Sequence, residues 1–164
     1  MGEHAEDPRF AAFYGLLVTE WRLSERLDQE LEATAGISLN FLELLIHLQW
    51  ADGRKRMSEL AEMLLLSRGG ATRLVARAEA AGLVTREIPP DDRRATYAVL
   101  TDAGREAAER GFPVYVDAVQ RLFQDFVTDD EAETLVRVWN RVLTGNGMAC
   151  KPITAAAEQL PERA

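Results

Sequence analysis

The stretch that most restricts the fold is residues 57–104, MSELAEMLLLSRGGATRLVARAEAAGLVTREIPPDDRRATYAVLTDAG. Two helix-start residues, Ser58 and Ser67, stand close together, and each opens an apolar pattern of helical period. Gly82 is a C-terminal stop for the second helix. The chain then reads as a strand over LVTREI (83–88), turns at Pro89-Pro90-Asp91-Asp92, and returns as a strand over ATYAVL (95–100). Thr101 starts another helix. Two short helices joined by a few residues form a helix-turn-helix, and a hairpin directly behind makes it winged. The second helix of such a pair reads the major groove of DNA from its N-terminal end.

The helix from Ser67 to Ala81 sorts cleanly into two faces. At about 100° per residue, Ala71, Leu74, Val75 and Ala78 cluster on one side, the side predicted to meet the core. Gly69, Thr72, Arg73, Ala76 and Arg77 lie opposite, with Arg68 on the flank. The outward face is basic with small residues at its centre, so a base edge or phosphate could approach. Ser67, Arg68, Gly69, Thr72, Arg73 and Arg77 are therefore the candidate recognition residues. The bland alternative is a solvated face that happens to be basic. The hairpin tip weighs against it. Arg93 and Arg94 are suited to a narrow minor groove, whose negative potential attracts arginine, and Asp92 can pair with one of them to hold the tip.

Elsewhere the pattern is helical. Phe10, Phe13, Tyr14, Leu17, Trp21, Leu27 and Leu31 recur at helical spacing, so one long helix is predicted from Arg9 to about Gly36, with Asp7-Pro8 as cap and first turn. Ser38 caps a second helix with Phe41, Leu42, Leu45, Ile46 and Leu48 as its apolar face. ADGRKR (51–56) reads as a polar break, and Leu66 as the end of the third helix. The helix from Thr101 extends to Phe126, bent or restarted near Gly111-Phe112-Pro113. Thr128-x-x-Glu131 is a capping-box pattern before a last helix to about Leu143. The fold class is mainly α with a small β-hairpin wing: residues 9–36 an N-terminal helix, 37–100 the winged helix-turn-helix, 101–144 C-terminal helices and 145–164 a flexible tail. The outer helices carry more apolar face than one small winged domain can cover, so a partner helix surface is expected.

The formal net charge is −8, which by itself disfavours nucleic acid. Its distribution matters more. Between Arg54 and Arg94 nine Arg or Lys face six Asp or Glu, a local charge of +3 that leaves −11 for the remainder. A single cysteine, Cys150, excludes an internal disulfide framework and fits a reducing cytoplasm. The opening MGEHAEDPRF does not read as a signal peptide, and no apolar run is long enough for a membrane span. An enzyme is disfavoured: there is no Ser/His/Asp set, and Gly69-Gly70 follows a helix where a phosphate loop follows a strand. His4 and His47 show no metal-ligand spacing, so neither a metal nor a cofactor is expected.

The residues MSELAEMLLLSRGGATRLVARAEAAGLVTRE and DDRRATYAVLTDAG resemble the MarR family of bacterial transcription regulators. Asp92-x-Arg94 with the strand to Leu100-Thr101 is similar to the family's wing signature. Ser67, Thr72, Arg73, Arg77 and EAAGLV (79–84) are similar to its recognition helix. Ala78 departs from a usually larger apolar residue, and Gly69-Gly70 from more helix-favouring ones. The resemblance implies a homodimer built from the first and last two helices, a pseudo-palindromic double-stranded DNA operator, and a repressor released by a small aromatic or anionic ligand bound between the dimer helices and the winged part. Tyr14, Trp21, His47 and Trp50 are candidate lining residues for that ligand, against the plainer reading that each is a core or packing residue. Cys150 has no resolving partner in the chain and reads as an incidental thiol. The rival class is a winged-helix dimer that binds protein without specific DNA binding, which the acidic total favours and the basic helix face opposes.

Overall fold

The computed structural model describes residues 7–92 and 95–148. Asp7 opens the first helix, α1 (Pro8–Ala35), its carboxylate accepting from the Arg9 amide at 2.8 Å. Pro8 sits in the first turn, where an amide would have no intrahelical partner. Gly36 ends the helix at φ 67°, a left-handed conformation in which a Cβ is costly. The joint to α2 (Leu39–Gln49) is made by capping from two directions. Ser38 Oγ accepts from the Phe41 amide at 3.4 Å, and Asp28 of α1 accepts from the Leu39 amide at 2.7 Å. Both satisfy amides that a helix start leaves without partners.

α2 is the centre of the core. Leu42, Leu44, Leu45 and Leu48 are fully buried, with Leu39 and Ile46 nearly so. A helix apolar on nearly every side has to be surrounded by protein, and each such leucine contributes about 1.5–3 kcal/mol by leaving water. The same cluster takes in Leu31, Leu60, Leu74, Val75, Ala78, Val84, Ala98 and Leu100.

The middle of the chain forms β1 (Arg54–Arg56), α3 (Met57–Met63), α4 (Arg68–Ala80), β2 (Val84–Glu87) and β3 (Tyr97–Leu100). The strands make one antiparallel sheet in the order β1-β3-β2. Val84 pairs with Leu100 and Glu87 with Tyr97. Val84, Ala98 and Leu100 are buried, whereas Tyr97 and Val99 on the alternate face are half-buried, the period-2 pattern of a sheet with one core face.

The structure corrects several local expectations. ADGRKR is not only a break, because its last three residues are β1; an all-basic edge strand has no apolar alternation to reveal it. Ser58 does not cap α3: the capping position is Arg56, without a side-chain cap bond. The helix closes at Met63, before Leu66, because Leu65 turns left-handed at φ 53°. The wing strands are shorter than the predicted 83–88 and 95–100. The helix after Thr101, α5 (Asp102–Leu122), runs without restarting through Pro113, and a 3₁₀ turn (Gln124–Phe126) replaces its predicted end. Gly111 lies so close to α2 that a Cβ there would meet Leu42 Cδ1 at 2.9 Å.

The chain divides into two compact units, one up to Val119 and one from Gln120 onward. In the second, α6 (Asp129–Gly145) starts with the capping box of Thr128 and Glu131, and three acids occupy its first turn, where the helix dipole favours negative charge. None of its residues is buried within the chain. Among the described residues no single helix is long and apolar enough to cross a membrane.

Candidate nucleic-acid interface

α4 presents the two faces expected of it. Ala71, Leu74, Val75 and Ala78 are buried, while Ser67, Arg68, Gly69, Thr72, Arg73 and Arg77 are exposed and Ala76 is half-buried. Ser67 Oγ accepts from the Gly70 amide at 3.1 Å, and a Cβ on Gly70 would lie 3.3 Å from that oxygen. Gly70 thus suits the capped first turn. At Gly69 the nearest neighbour of a Cβ would be Arg73 Nη1 at 3.5 Å, so packing does not demand this glycine, and it leaves the helix surface low. Thr72 donates its hydroxyl to the Arg68 carbonyl at 2.8 Å, which leaves the oxygen lone pairs outward as acceptors. Arg73 and Arg77 border an open groove of ≈ 650 Å³ with Asn40, Leu66, Gly70, Leu74 and Ala76. The Arg77 guanidinium lies 5.8 Å from the Phe41 ring centre, which holds its stem along α2.

α4 is tied to the wing at its C-terminal end. Arg86 donates its amide to Glu79 Oε1 at 3.1 Å and Nε to Oε2 at 2.8 Å. These hydrogen bonds hold the Glu79 carboxyl below its usual pKa. Thr101 Oγ1 is 2.8 and 2.9 Å from the Gly82 and Leu83 carbonyls and accepts from the Gly104 amide at 3.0 Å. One side chain therefore joins the end of α4, the root of the wing and the start of α5.

Asp92 is at the predicted hairpin turn, and it has a partner the sequence reading did not include: Arg56 of β1, at 2.9 Å. Arg93 and Arg94, proposed as its partners and as the wing's groove-reading side chains, lie outside the described residues, as does Cys150. Of the ligand candidates, the structure brings His47 and Trp50 together, edge to face with ring centres 5.3 Å apart. His47 Nδ1 is buried without a hydrogen-bond partner, and burial lowers the imidazole pKa. Tyr14 and Trp21 stand separately, exposed on α1, with the Arg22 guanidinium 4.6 Å over the Trp21 ring. The residues missed by sequence reasoning are Arg54, Arg56 and the Glu79–Arg86 pair. Nothing local marked them: Arg54 and Arg56 share a face only once residues 54–56 are a strand, and Glu79 meets Arg86 only where α4 and β2 come together.

A helix pair with an exposed basic second helix and an adjoining antiparallel wing defines a winged helix-turn-helix protein. A model of the MarR family matches residues 35–95. The solved structure of Sco3205, a MarR family transcriptional regulator from Streptomyces coelicolor in complex with DNA, is 32% identical, with 82% of this chain and 85% of that chain covered and a TM-score of 0.74. AbsC, a MarR family transcriptional regulator from the same organism, is 30% identical over 93% of this chain and 95% of that one, also with a TM-score of 0.74. The HTH-type transcriptional regulator YkoM of Bacillus subtilis is 28% identical over 92 residues. That match spans 56% of this chain and 60% of YkoM. The chain belongs to the MarR family of transcriptional regulators, a family of regulators and not of enzymes.

Proposed function

We propose that this chain is a cytoplasmic, sequence-specific DNA-binding repressor that works as a homodimer and is released from a pseudo-palindromic operator by a small aromatic or anionic ligand. The observation that carries the reading is the outward face of α4, where Arg68, Arg73 and Arg77 surround Gly69 and Thr72 without a large apolar residue among them. Its likeness to Sco3205, solved with DNA, supports the same use of this face. Residues 37–100 form the DNA-reading part, with Arg93 and Arg94 as its wing contacts. The helices on either side make the dimer. Phe10, Phe13, Tyr14, Leu17 and Trp21 are exposed along α1, an apolar surface of the kind that a second copy covers. The His47–Trp50 pair, with Tyr14 and Trp21 contributing in the dimer, is the proposed ligand-lining set.

The test is an anisotropy titration of the purified protein against DNA from its own upstream region, at two salt concentrations and with nonspecific competitor. Tight binding that survives the competitor and weakens steeply with salt, as phosphate contacts require, is the expected result. A dimer that binds no DNA under these conditions would overturn the reading in favour of a protein-interaction module.

A further inference from the structure

Arg54 and Arg56 share one face of β1, because side chains alternate along a strand. Lys55 on the other face pairs with Glu59 of α3 at 3.6 Å. In the ladder Arg54 stands opposite Val99 and Arg56 opposite Tyr97, while Tyr97 stands opposite Glu87 on its other side. Both arginines reach past these neighbours. Arg54 crosses β3 with its guanidinium 3.7 Å over the Tyr97 ring and donates to Glu87 Oε2 at 3.2 Å. Arg56 donates to Asp92 Oδ2 at 2.9 Å, across 36 residues of chain.

The two acids sit where the wing needs holding. Glu87 is the last residue of β2, and the β2–β3 ladder ends at the Glu87–Tyr97 pair. Residues 88–92 therefore lie beyond the ladder, with the turn's own Asp92 amide to Pro89 carbonyl bond at 3.3 Å. The Arg56–Asp92 pair is a side-chain hold on a segment that the strand hydrogen bonds do not reach. We infer that Arg56, supported by Arg54, is a positioning residue: through Asp92 it holds residues 88–92 of the wing in place, so DNA affinity depends on an edge strand acting within the protein. The effect on affinity rests on the DNA-binding reading. The effect on the wing does not.

The experiment uses the full-length protein with Arg56→Ala, Asp92→Asn and the double variant. Arg56 makes no side-chain cap bond to α3, so its truncation spares that helix. Two readouts are taken. Hydrogen exchange of residues 84–100 in the free protein is expected to rise in all three variants, with exchange in 102–119 unchanged. DNA binding is expected to weaken up to about fivefold in each single variant, in line with a half-exposed ion pair. The double variant should be no weaker than Asp92→Asn alone, and the salt slope should stay at the parent's value. Unchanged exchange across 84–100 would overturn the inference. So would additive losses with a salt slope reduced by about one phosphate, which would make Arg56 a direct DNA contact. If the parent binds no DNA while Arg56→Ala still loosens 84–100, the DNA-binding reading fails and the brace stands.

Discussion

At the scale of single residues, backbone conformation and burial make checkable demands. Leu65 holds φ 53° with its side chain 84% exposed. A left-handed residue with a Cβ costs about 1–2 kcal/mol, and glycine's extra freedom in the unfolded chain returns about 0.4–1 of that. Since little apolar burial is lost, Leu65→Gly should stabilise the protein by about 0.5–1 kcal/mol, read from chemical denaturation. Gly104 is the opposite case: a Cβ there would overlap the Leu83 carbonyl oxygen and crowd Leu100. Gly104→Ala should destabilise by about 1–3 kcal/mol, and an unchanged midpoint would show that the α5–wing joint yields. His47 sets a pH dependence. Burial lowers its pKa from the usual 6.5, so below that pH the unfolded chain takes up a proton that the fold resists. The stability is complete above about pH 6.5 and declines as pH falls toward the lowered folded value. Glu43, one turn earlier, is raised from 4.5 by desolvation and works in the opposite sense, gaining stability as it is protonated. The difference between parent and His47→Gln isolates the imidazole: the variant should lose less stability between pH 7 and 5.

At the scale of elements, α4 combines a structural start with a functional face. Its Ser67 cap bond is worth about 1 kcal/mol, so Ser67→Ala should lower stability by that amount. Arg73→Ala should leave stability within about 0.5 kcal/mol, as an exposed surface change does. If Arg73 reads a base, its loss should alter the ranking of operator variants in a competition assay. Equal weakening on every sequence would reduce it to a phosphate contact. The core and outer faces of α4 were legible in advance, since 3.6-residue periodicity separates Ala71, Leu74, Val75 and Ala78 from the arginines without any tertiary information. β1 was not legible: three consecutive basic residues have no apolar alternation, and they become a strand because β3 offers them an open edge. Pro113 is a partial case: its local cost argues for a bend or a restart, and α5 does not restart there but runs as one helix from Asp102 to Leu122.

At the scale of the whole molecule, the unanswered surface is apolar. Trp21 is 56% and Tyr14 63% exposed within the chain, on the same helix as Phe10, Phe13 and Leu17. If a second copy covers this surface, Trp21→Glu should place an uncompensated charge in the interface and shift the protein to monomer in sedimentation velocity. A parent that is itself monomeric, or a variant that remains a dimer, would exclude α1 from the interface. The overall element order also shows what local sequence information achieves. Asp7, Ser38, Ser67, Gly36, Gly82 and the Thr128–Glu131 box act on neighbours within a few residues, so composition and spacing alone determined where most helices begin and end, which face of α4 is basic, and the class of protein. Only the tertiary structure decided that Arg54-Lys55-Arg56 is a strand, that Asp28 caps α2, and that Asp92 is held by Arg56. Those contacts join residues far apart in the chain, and their partners are selected by where the buried leucines of α2 bring the helices and sheet together.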